Sequence, residues 1–190
     1  MEPIRTDRLK LRNWEDRDRE LFHRINSDDQ VMEFFGIRRS RAESDELFDR
    51  LRNNAERDGF GFTAAELKDS GEAIGFVGIV RTDLEPFIAK GTMEIGWRLA
   101  PEFWGKGYVT EAAEAWLAYA FDVVGEEEVV SFAVADNHRS TAVMQRLGMH
   151  YEPSSDFDHP RVPESQPHLR RHVLYRLSRA EWQTRKRAAG

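Results

Sequence analysis

The chain has 190 residues, 40% hydrophobic and 11% aromatic, which is enough to bury a core as one domain over residues 1–190. Its 28 basic and 34 acidic residues leave a net charge of −6, so no basic surplus is available to neutralise a phosphate backbone, and nucleic acid is not an expected partner. The absence of cysteine excludes disulfides, thiolate metal sites and a cysteine nucleophile. No run of about 18 apolar residues occurs, and the N-terminal MEPIRTDRLKLR has no apolar core, so no membrane is expected and the chain reads as cytoplasmic.

Strands and helices are predicted in alternation. Arg8 to Arg12 alternates apolar and basic residues and reads as a strand, and Asp16 to Ile25 carries Leu21, Phe22 and Ile25 at helical spacing. Ser40 with Glu43 three residues later forms a capping box for a helix through about Arg57, with Leu47, Phe48, Leu51 and Ala55 on one face and Asp58-Gly59 as its stop. Phe60 to Leu67 and Ala73 to Arg81 are rich in aromatic and β-branched residues around a polar turn, which predicts a hairpin, and Met93 to Leu99 continues the sheet. After two glycines a helix places Ala112, Ala113, Trp116, Leu117, Ala120 and Phe121 on one stripe. A strand over Val129 to Val134, a helix over Arg139 to Leu147 stopped by Gly148, and strands at Met149 to Glu152 and His172 to Leu177 complete the pattern. Pro153 to His168, holding four of the seven prolines, is the candidate for low order, and the ArgLysArg tail at 185–187 reads as a solvated end.

The strand-to-helix junction WGKGYVTEA, Trp104 to Ala112, carries the most chemical information. Glycines there let backbone N–H groups face one ligand with no Cβ in the way, and the helix dipole favours a negative charge at the same place, so a phosphate-bearing ligand fits. A nucleoside triphosphate loop would require glycine at position 100 and Ser or Thr after the lysine, where this chain has Ala100 and Gly107. A dinucleotide fingerprint fails as well, with two glycines instead of three and strands that read as antiparallel. A strand-helix corner tightened by glycine alone would show the same spacing.

Three longer stretches extend the motif: EIGWRLAP (94–101), FWGKGYVTEA (103–112) and NHRSTAVMQRLGM (137–149). Together with TDRLKLR (6–12), IGFVG (74–78) and VLYRL (173–177), they resemble the GNAT superfamily of acetyl-CoA-dependent N-acetyltransferases, and most closely its RimJ/RimL-like branch. The resemblance implies an α/β fold with a mixed, mostly antiparallel seven-stranded sheet, splayed between strands 4 and 5 and flanked by helices. It also implies acetyl-CoA as cosubstrate. Backbone amides of Gly105, Lys106, Gly107, Tyr108, Val109 and Thr110 would hold the pyrophosphate, while the strand edge at Trp97, Arg98 and Leu99, with Asn137, would line the pantetheine arm. The implied partners are acetyl-CoA and an amine acceptor, a protein N-terminus among the candidates, and a homodimer is compatible with the family.

The chain departs from the family pattern at two positions. Glu102 stands where Gln or Arg is common and is expected to point outward. Met144 stands where a tyrosine general acid is common, which leaves Ser140 as a hydroxyl able to reach the thiol. A base must accept the surplus amine proton, and Glu94 is the first candidate, with Asp156, His159, His168 and His172 as rivals. HisXXXHis at 168 and 172 has metal spacing only on a helix, and this segment reads as a strand, so no metal is expected. Asp156, Phe157, Asp158 and His159 are the expected acceptor contacts, since acidic residues in a polar loop would attract a cationic amine. The expected activity is acetyl transfer to a primary amine, direct and within a ternary complex because no cysteine can carry the acyl group. The alternatives are a non-catalytic acyl-CoA-binding or sensing module, which the missing tyrosine favours, and a plain interaction domain.

Overall fold

A computed structural model describes residues 1–189, which fall into two compact units: Met1–Val80 with Gly96–Trp116, and Arg81–Ile95 with Leu117 onward. In the first unit the strands β1 (Ile4–Arg5), β2 (Leu9–Arg12), β3 (Phe62–Leu67) and β4 (Ala73–Arg81) pair antiparallel in succession. Period-two alternation buries Leu9 and Leu11 completely. Two helices, α1 (Arg19–Ser27) and α2 (Arg41–Asp58), contribute Phe22, Ile25 and Phe48 to a core shared with Trp14 and Phe76. Its rings pack edge to face, Trp14 against Phe22 at 5.0 Å and Phe22 against Phe48 at 5.5 Å, the geometry favoured by aromatic quadrupoles.

The capping box at α2 forms as the sequence predicts. Glu43 N–H donates to Ser40 Oγ at 3.3 Å, Ser40 N–H donates to the Glu43 carboxylate at 2.8 Å, and Gly59 ends the helix at φ +77°. Strand β5 (Met93–Leu99) follows β4 in the sheet. Gly75 of β4 lies so close to it that an added Cβ would come within 2.3 Å of the Arg98 carbonyl, so only glycine allows this approach.

Beneath β2 lies a buried ionic cluster. The Arg12 guanidinium donates from Nη1 and Nη2 to Asp18 at 2.6 and 3.0 Å, and from Nε to Glu66 at 2.6 Å. Arg17 adds a bond to Glu66 at 2.8 Å. Every charge in this cluster has an opposite partner.

The second unit is built on β9 (Arg171–Ser178), which pairs antiparallel along seven residues with β6 (Glu128–Val134) and, on its other edge, with the short strands β7 (His150–Tyr151) and β8 (Phe157–Asp158). The N-terminal part of β5 pairs parallel with β6 at only two positions, Met93 with Val129 and Glu94 with Val130. Beyond them, Ser131 Oγ donates to the Ile95 carbonyl at 2.9 Å, so a side chain takes over where the ladder stops. Leu84, Ile88, Val130, Phe157 and Leu174 form the local core. Helix α3 (Tyr108–Ala118) runs on into a π-helical turn at Tyr119–Val124, α4 (His138–Arg146) follows β6, and α5 (Arg179–Ala189) ends the description.

The sheet order is β1-β2-β3-β4-β5-β6-β9-β7, with β8 also on β9; it is mostly antiparallel and flanked by helices. Its nine strands exceed the predicted seven by β1 and β8, two-residue strands too short for any periodicity and defined only by their partners. The segment predicted to be of low order is instead held to β9 through β8, with single helical turns at Pro153–Ser155 and Pro167–Leu169. The ArgLysArg stretch at 185–187 lies in helix α5, capped by Ser178 and Glu181 and anchored by buried Trp182 stacked on Phe121 at 5.8 Å, with Lys186 and Arg187 exposed as predicted. Among the described residues no helix is long and apolar enough to cross a membrane.

Asp18→Ala removes the bidentate partner of buried Arg12 and leaves Glu66 at 2.6 Å and Glu15 at 3.6 Å as its counter-charges. Urea denaturation is expected to show a loss of about 3 kcal/mol, near the low end for a broken buried pair. A loss below about 1 kcal/mol would put the cluster in the class of surface ion pairs.

Candidate functional site

In the first unit the glycine loop is built by bonds at both ends. Trp104 Nε1 donates to the Leu99 carbonyl at 2.8 Å, and Gly105 and Gly107 then take φ +71° and +80°, angles that residues with a Cβ rarely adopt. Helix α3 starts at Tyr108, so the amides of its first turn have no carbonyl partner within the helix. Arg8 braces the loop from β2's approach: Nη1 donates to the Lys106 carbonyl at 2.9 Å, Nε to Glu111 at 2.6 Å, and its guanidinium lies 4.6 Å from the Tyr108 ring centroid. Glu111 also accepts from Thr6 Oγ1 at 2.5 Å and from Arg8 N–H at 2.8 Å. The Lys106 carbonyl is thereby tied down, while Gly105, Lys106 and Gly107 are exposed.

Glu102 points away from the loop and pairs with Arg24 at 2.7 Å, as expected. On β5, Leu99 is buried and Trp97 partly buried. The Arg98 side chain lies between Phe35 and Phe76, its guanidinium carbon 4.1 and 5.3 Å from their centroids, and Nη1 donates to Asn26 Oδ1 at 2.5 Å. A separate concavity of about 480 Å³ in this unit, lined by Lys10, Arg12, Trp14, Arg52 and Glu56 among others, contains none of the residues named from sequence.

In the second unit Glu94 stands where the β5–β6 ladder ends. Burial strips its carboxylate of water and raises its pKa to about 7, against the smaller downward effects of a hydrogen bond with the Thr82 side chain and the charge of Arg161. Arg161 is held in place by Nη2 donating to the Asp83 carbonyl at 2.9 Å.

The rival histidines form a second group, with the ring centroids of His159 and His172 4.8 Å apart. His159 Nδ1 accepts from Arg161 N–H at 3.2 Å, which puts its proton on Nε2, and burial with His172 and Arg161 nearby lowers its pKa to about 4. His172 Nδ1 donates to the Arg170 carbonyl at 3.0 Å, and burial lowers its pKa too. His168 is exposed on the turn before β9. Among the described residues no group of three or more His, Cys, Asp or Glu side chains could hold a metal ion.

The acceptor candidates are differently placed. Phe157 is buried, stacked with Phe87 at 5.1 Å. Asp158 faces Arg171 at 3.8 Å and Arg170 at 3.9 Å. Asp156 accepts from the Tyr151 hydroxyl at 2.8 Å and faces Arg171 at 3.6 Å, with its Oδ1 buried and without a hydrogen bond. Asn137 Oδ1 accepts from Ser140 N–H at 3.1 Å and caps α4, where Ser140 is partly buried and Met144 is 1% exposed. Sequence reasoning missed Arg8, Thr82 and Arg161, which act on residues distant in the chain and carry no local motif.

The chain belongs to the GNAT family, since residues 8–150 match the acetyltransferase (GNAT) domain, whose members transfer acetyl groups from acetyl-CoA. The uncharacterized protein YkkB of Bacillus subtilis (strain 168) is 34% identical over 147 residues, 77% of this chain and 84% of that protein. An acetyltransferase (GNAT family) structure from Bacillus anthracis has a TM-score of 0.78 at 24% identity, covering 94% of this chain and 99% of that one. The structure of spermidine N-acetyltransferase from Vibrio cholerae in complex with CoA and spermine has a TM-score of 0.71 at 16% identity, covering 93% and 98%. At these identities both structures speak for the fold.

The elevated Glu94 pKa has a consequence for stability. Folding raises it from an ordinary 4.5 to about 7, so the folded state holds the extra proton between those values. The associated stability is fully present below pH 4.5 and is lost as pH rises through 7. Glu94→Gln, which has no proton to lose, is expected to gain Tm relative to wild type from pH 5 to pH 8. Parallel Tm profiles for the two proteins would mean an unshifted carboxylate.

Proposed function

We propose that the protein transfers an acetyl group from acetyl-CoA to a primary amine by direct attack in a ternary complex, with Glu94 as general base. The observation that carries this reading is the desolvated Glu94 carboxylate, whose pKa of about 7 suits a proton acceptor at neutral pH. Bound acetyl-CoA supplies the activated acyl thioester. The loop fits its pyrophosphate: an added Cβ at Gly105 would meet nothing within 4 Å, one at Gly107 would lie 3.4 Å from Arg8 Nη2, Gly105 to Gly107 are exposed and Tyr108 to Thr110 partly so, and the amides of Gly105 to Thr110 are the proposed donors. The edge at Trp97, Arg98 and Leu99 is the proposed bed for the pantetheine arm.

Glu94 takes the proton that the acceptor nitrogen must shed to attack. His159, neutral at pH 7 with Nδ1 already accepting from Arg161 N–H, is a weaker candidate for that role. Ser140 is the proposed hydroxyl toward the departing sulfur. Met144 can give no proton, and none is needed at neutral pH for a thiol with a pKa of about 8.5. The motif stretches support a reading within the RimJ/RimL-like branch. An α-amine, with a pKa near 7.7–8.0, is deprotonated more readily than an aliphatic amine near 10.4, so an α-amine, that of a protein N-terminus included, is the favoured acceptor. Asp156 and Asp158 face arginines that offset their pull on a cation, so the acceptor's selection is assigned elsewhere. Acetyl-CoA binding without thiol release over a broad amine panel would favour the non-catalytic alternative.

Two variants test the reading. Glu94→Gln is expected to lower kcat by roughly 10²–10⁴ while acetyl-CoA affinity stays unchanged, with partial recovery as rising pH deprotonates the amine. Full activity across neutral pH would remove Glu94 from the mechanism. Gly107→Asp places a charged side chain at a positive φ in the loop, and calorimetry is expected to show acetyl-CoA binding abolished. Unchanged affinity in the folded variant would remove the loop from the site.

A further inference from the structure

Two guanidinium groups of the first unit lack an ion-pair partner among the described residues, although the charge of Arg39 acts on Glu43 as well as on Arg98. Arg98 and Arg39 each have a buried Nε without a hydrogen-bond partner. Among the described residues neither forms an ion pair, although arginines around them do: Arg24 with Glu102, Arg38 with Asp29, and Arg41 with Glu20 and Asp45. Asn26, fully buried, organises the pair. Its side-chain Oδ1 accepts from Arg98 Nη1, and its backbone carbonyl accepts from Arg39 N–H at 3.0 Å. Asn26 Nδ2 is itself held by the Phe22 carbonyl at 2.7 Å, so the amide cannot flip without losing a bond.

The unused part of Arg98 has a definite shape. Phe35 and Phe76 lie 4.1 and 5.3 Å from the guanidinium carbon, and Nη1 is occupied by Asn26. The Nε–Nη2 edge remains, and that edge is the planar fork that receives both oxygens of a carboxylate. Phe35 is 46% exposed and Ile37 41% exposed, so an apolar rim lies open beside the buried charge. Withdrawing a charge from water without a counter-ion is costly, and a second like charge nearby raises the cost. Burial, with Arg39 close by, pushes the Arg98 pKa down to about 9, the direction expected of a cation lacking its anion. Arg12 shows the contrast: buried in the same unit, it has Asp18 and Glu66 against it.

We infer that Arg98, oriented by Asn26, and Arg39 beside it form a carboxylate-recognition subsite, so that the preferred acceptor is a small amino carboxylic acid. The inference rests on the proposed acetyl transfer to an amine and names the substrate class. It also accounts for a desolvation cost that the Asn26 bond and the two rings offset only in part, since the ligand's negative charge supplies the missing counter-ion.

The test compares L-amino acids with the matching amines that lack only the carboxylate, using the full chain with acetyl-CoA and following thiol release. The amino acid is expected to have a KM at least about tenfold lower than its decarboxylated counterpart. Arg39→Gln should raise the amino-acid KM by roughly tenfold to a hundredfold, while moving that of the amine by less than about threefold, and Arg98→Lys should raise the amino-acid KM by a similar factor. Equal KM values for the two series in wild type, or equal rises in both series in the variants, would overturn the inference. A higher acetyl-CoA Kd in the variants with acceptor preference intact would overturn it too, by giving the arginines to a cofactor phosphate. Calorimetry of the CoA-loaded protein with N-acetyl amino acids and N-acetyl amines separates the two levels of the argument. If neither series is acetylated, the proposed function fails, yet binding that depends on the carboxylate and is lost in Arg39→Gln still supports the subsite. Indifference to the carboxylate in that titration rejects it.

Discussion

Removal of charge from water along β5 is the constraint on which the chemistry depends. Glu94 and Arg98 sit four residues apart on this strand, and each is desolvated without an ion-pair partner against it. Glu94 has a threonine hydroxyl and a more distant arginine, and Arg98 has an asparagine carbonyl. Low local polarity makes the Glu94 carboxylate more basic and strengthens any contact an anion makes with the Arg98 guanidinium. The Arg12 cluster under β2 shows the other outcome. There Asp18 and Glu66 meet Arg12, with Arg17 also on Glu66, and the paired charges hold the sheet to the segment before α1.

The loop before α3 follows a related logic with backbone groups instead of side chains. A helix start leaves several N–H groups without partners, and positive φ at two glycines turns the chain so that they open on water. Arg8 removes the competing carbonyl of Lys106 and holds Glu111 by its side chain and its own N–H. The conformation therefore does not depend on a ligand to form. Pre-organisation of this kind reduces the ordering cost that binding would otherwise incur.

Local signals were readable in the sequence and distant ones were not. Ser40 with Glu43, Gly59 and Gly148 announce helix ends because capping involves residues three or four apart, and the two loop glycines announce an anion site for the same reason. The same box at Ser178 and Glu181 marks a real helix, although only the buried Trp182 distinguishes α5 from a solvated tail. The strands β1 and β8 exist through their partners alone. Glu94 could be named from its place on a strand, but its pKa depends on Thr82 and Arg161, and the loop's rigidity depends on an arginine about a hundred positions earlier in the chain. Asp156 and Asp158 look like free anions in sequence because Arg171, fifteen and thirteen positions on, is invisible as a partner until the strand pairing is known.

The central claim is that desolvation holds the Glu94 carboxyl near neutrality. The direct measurement is a ¹³C NMR titration of that side-chain carboxyl in the folded protein, assigned by comparison with Glu94→Gln. The account predicts a midpoint at about pH 7, well above the ordinary value of 4.5. A midpoint below 5 would show a solvated carboxylate and would contradict the account.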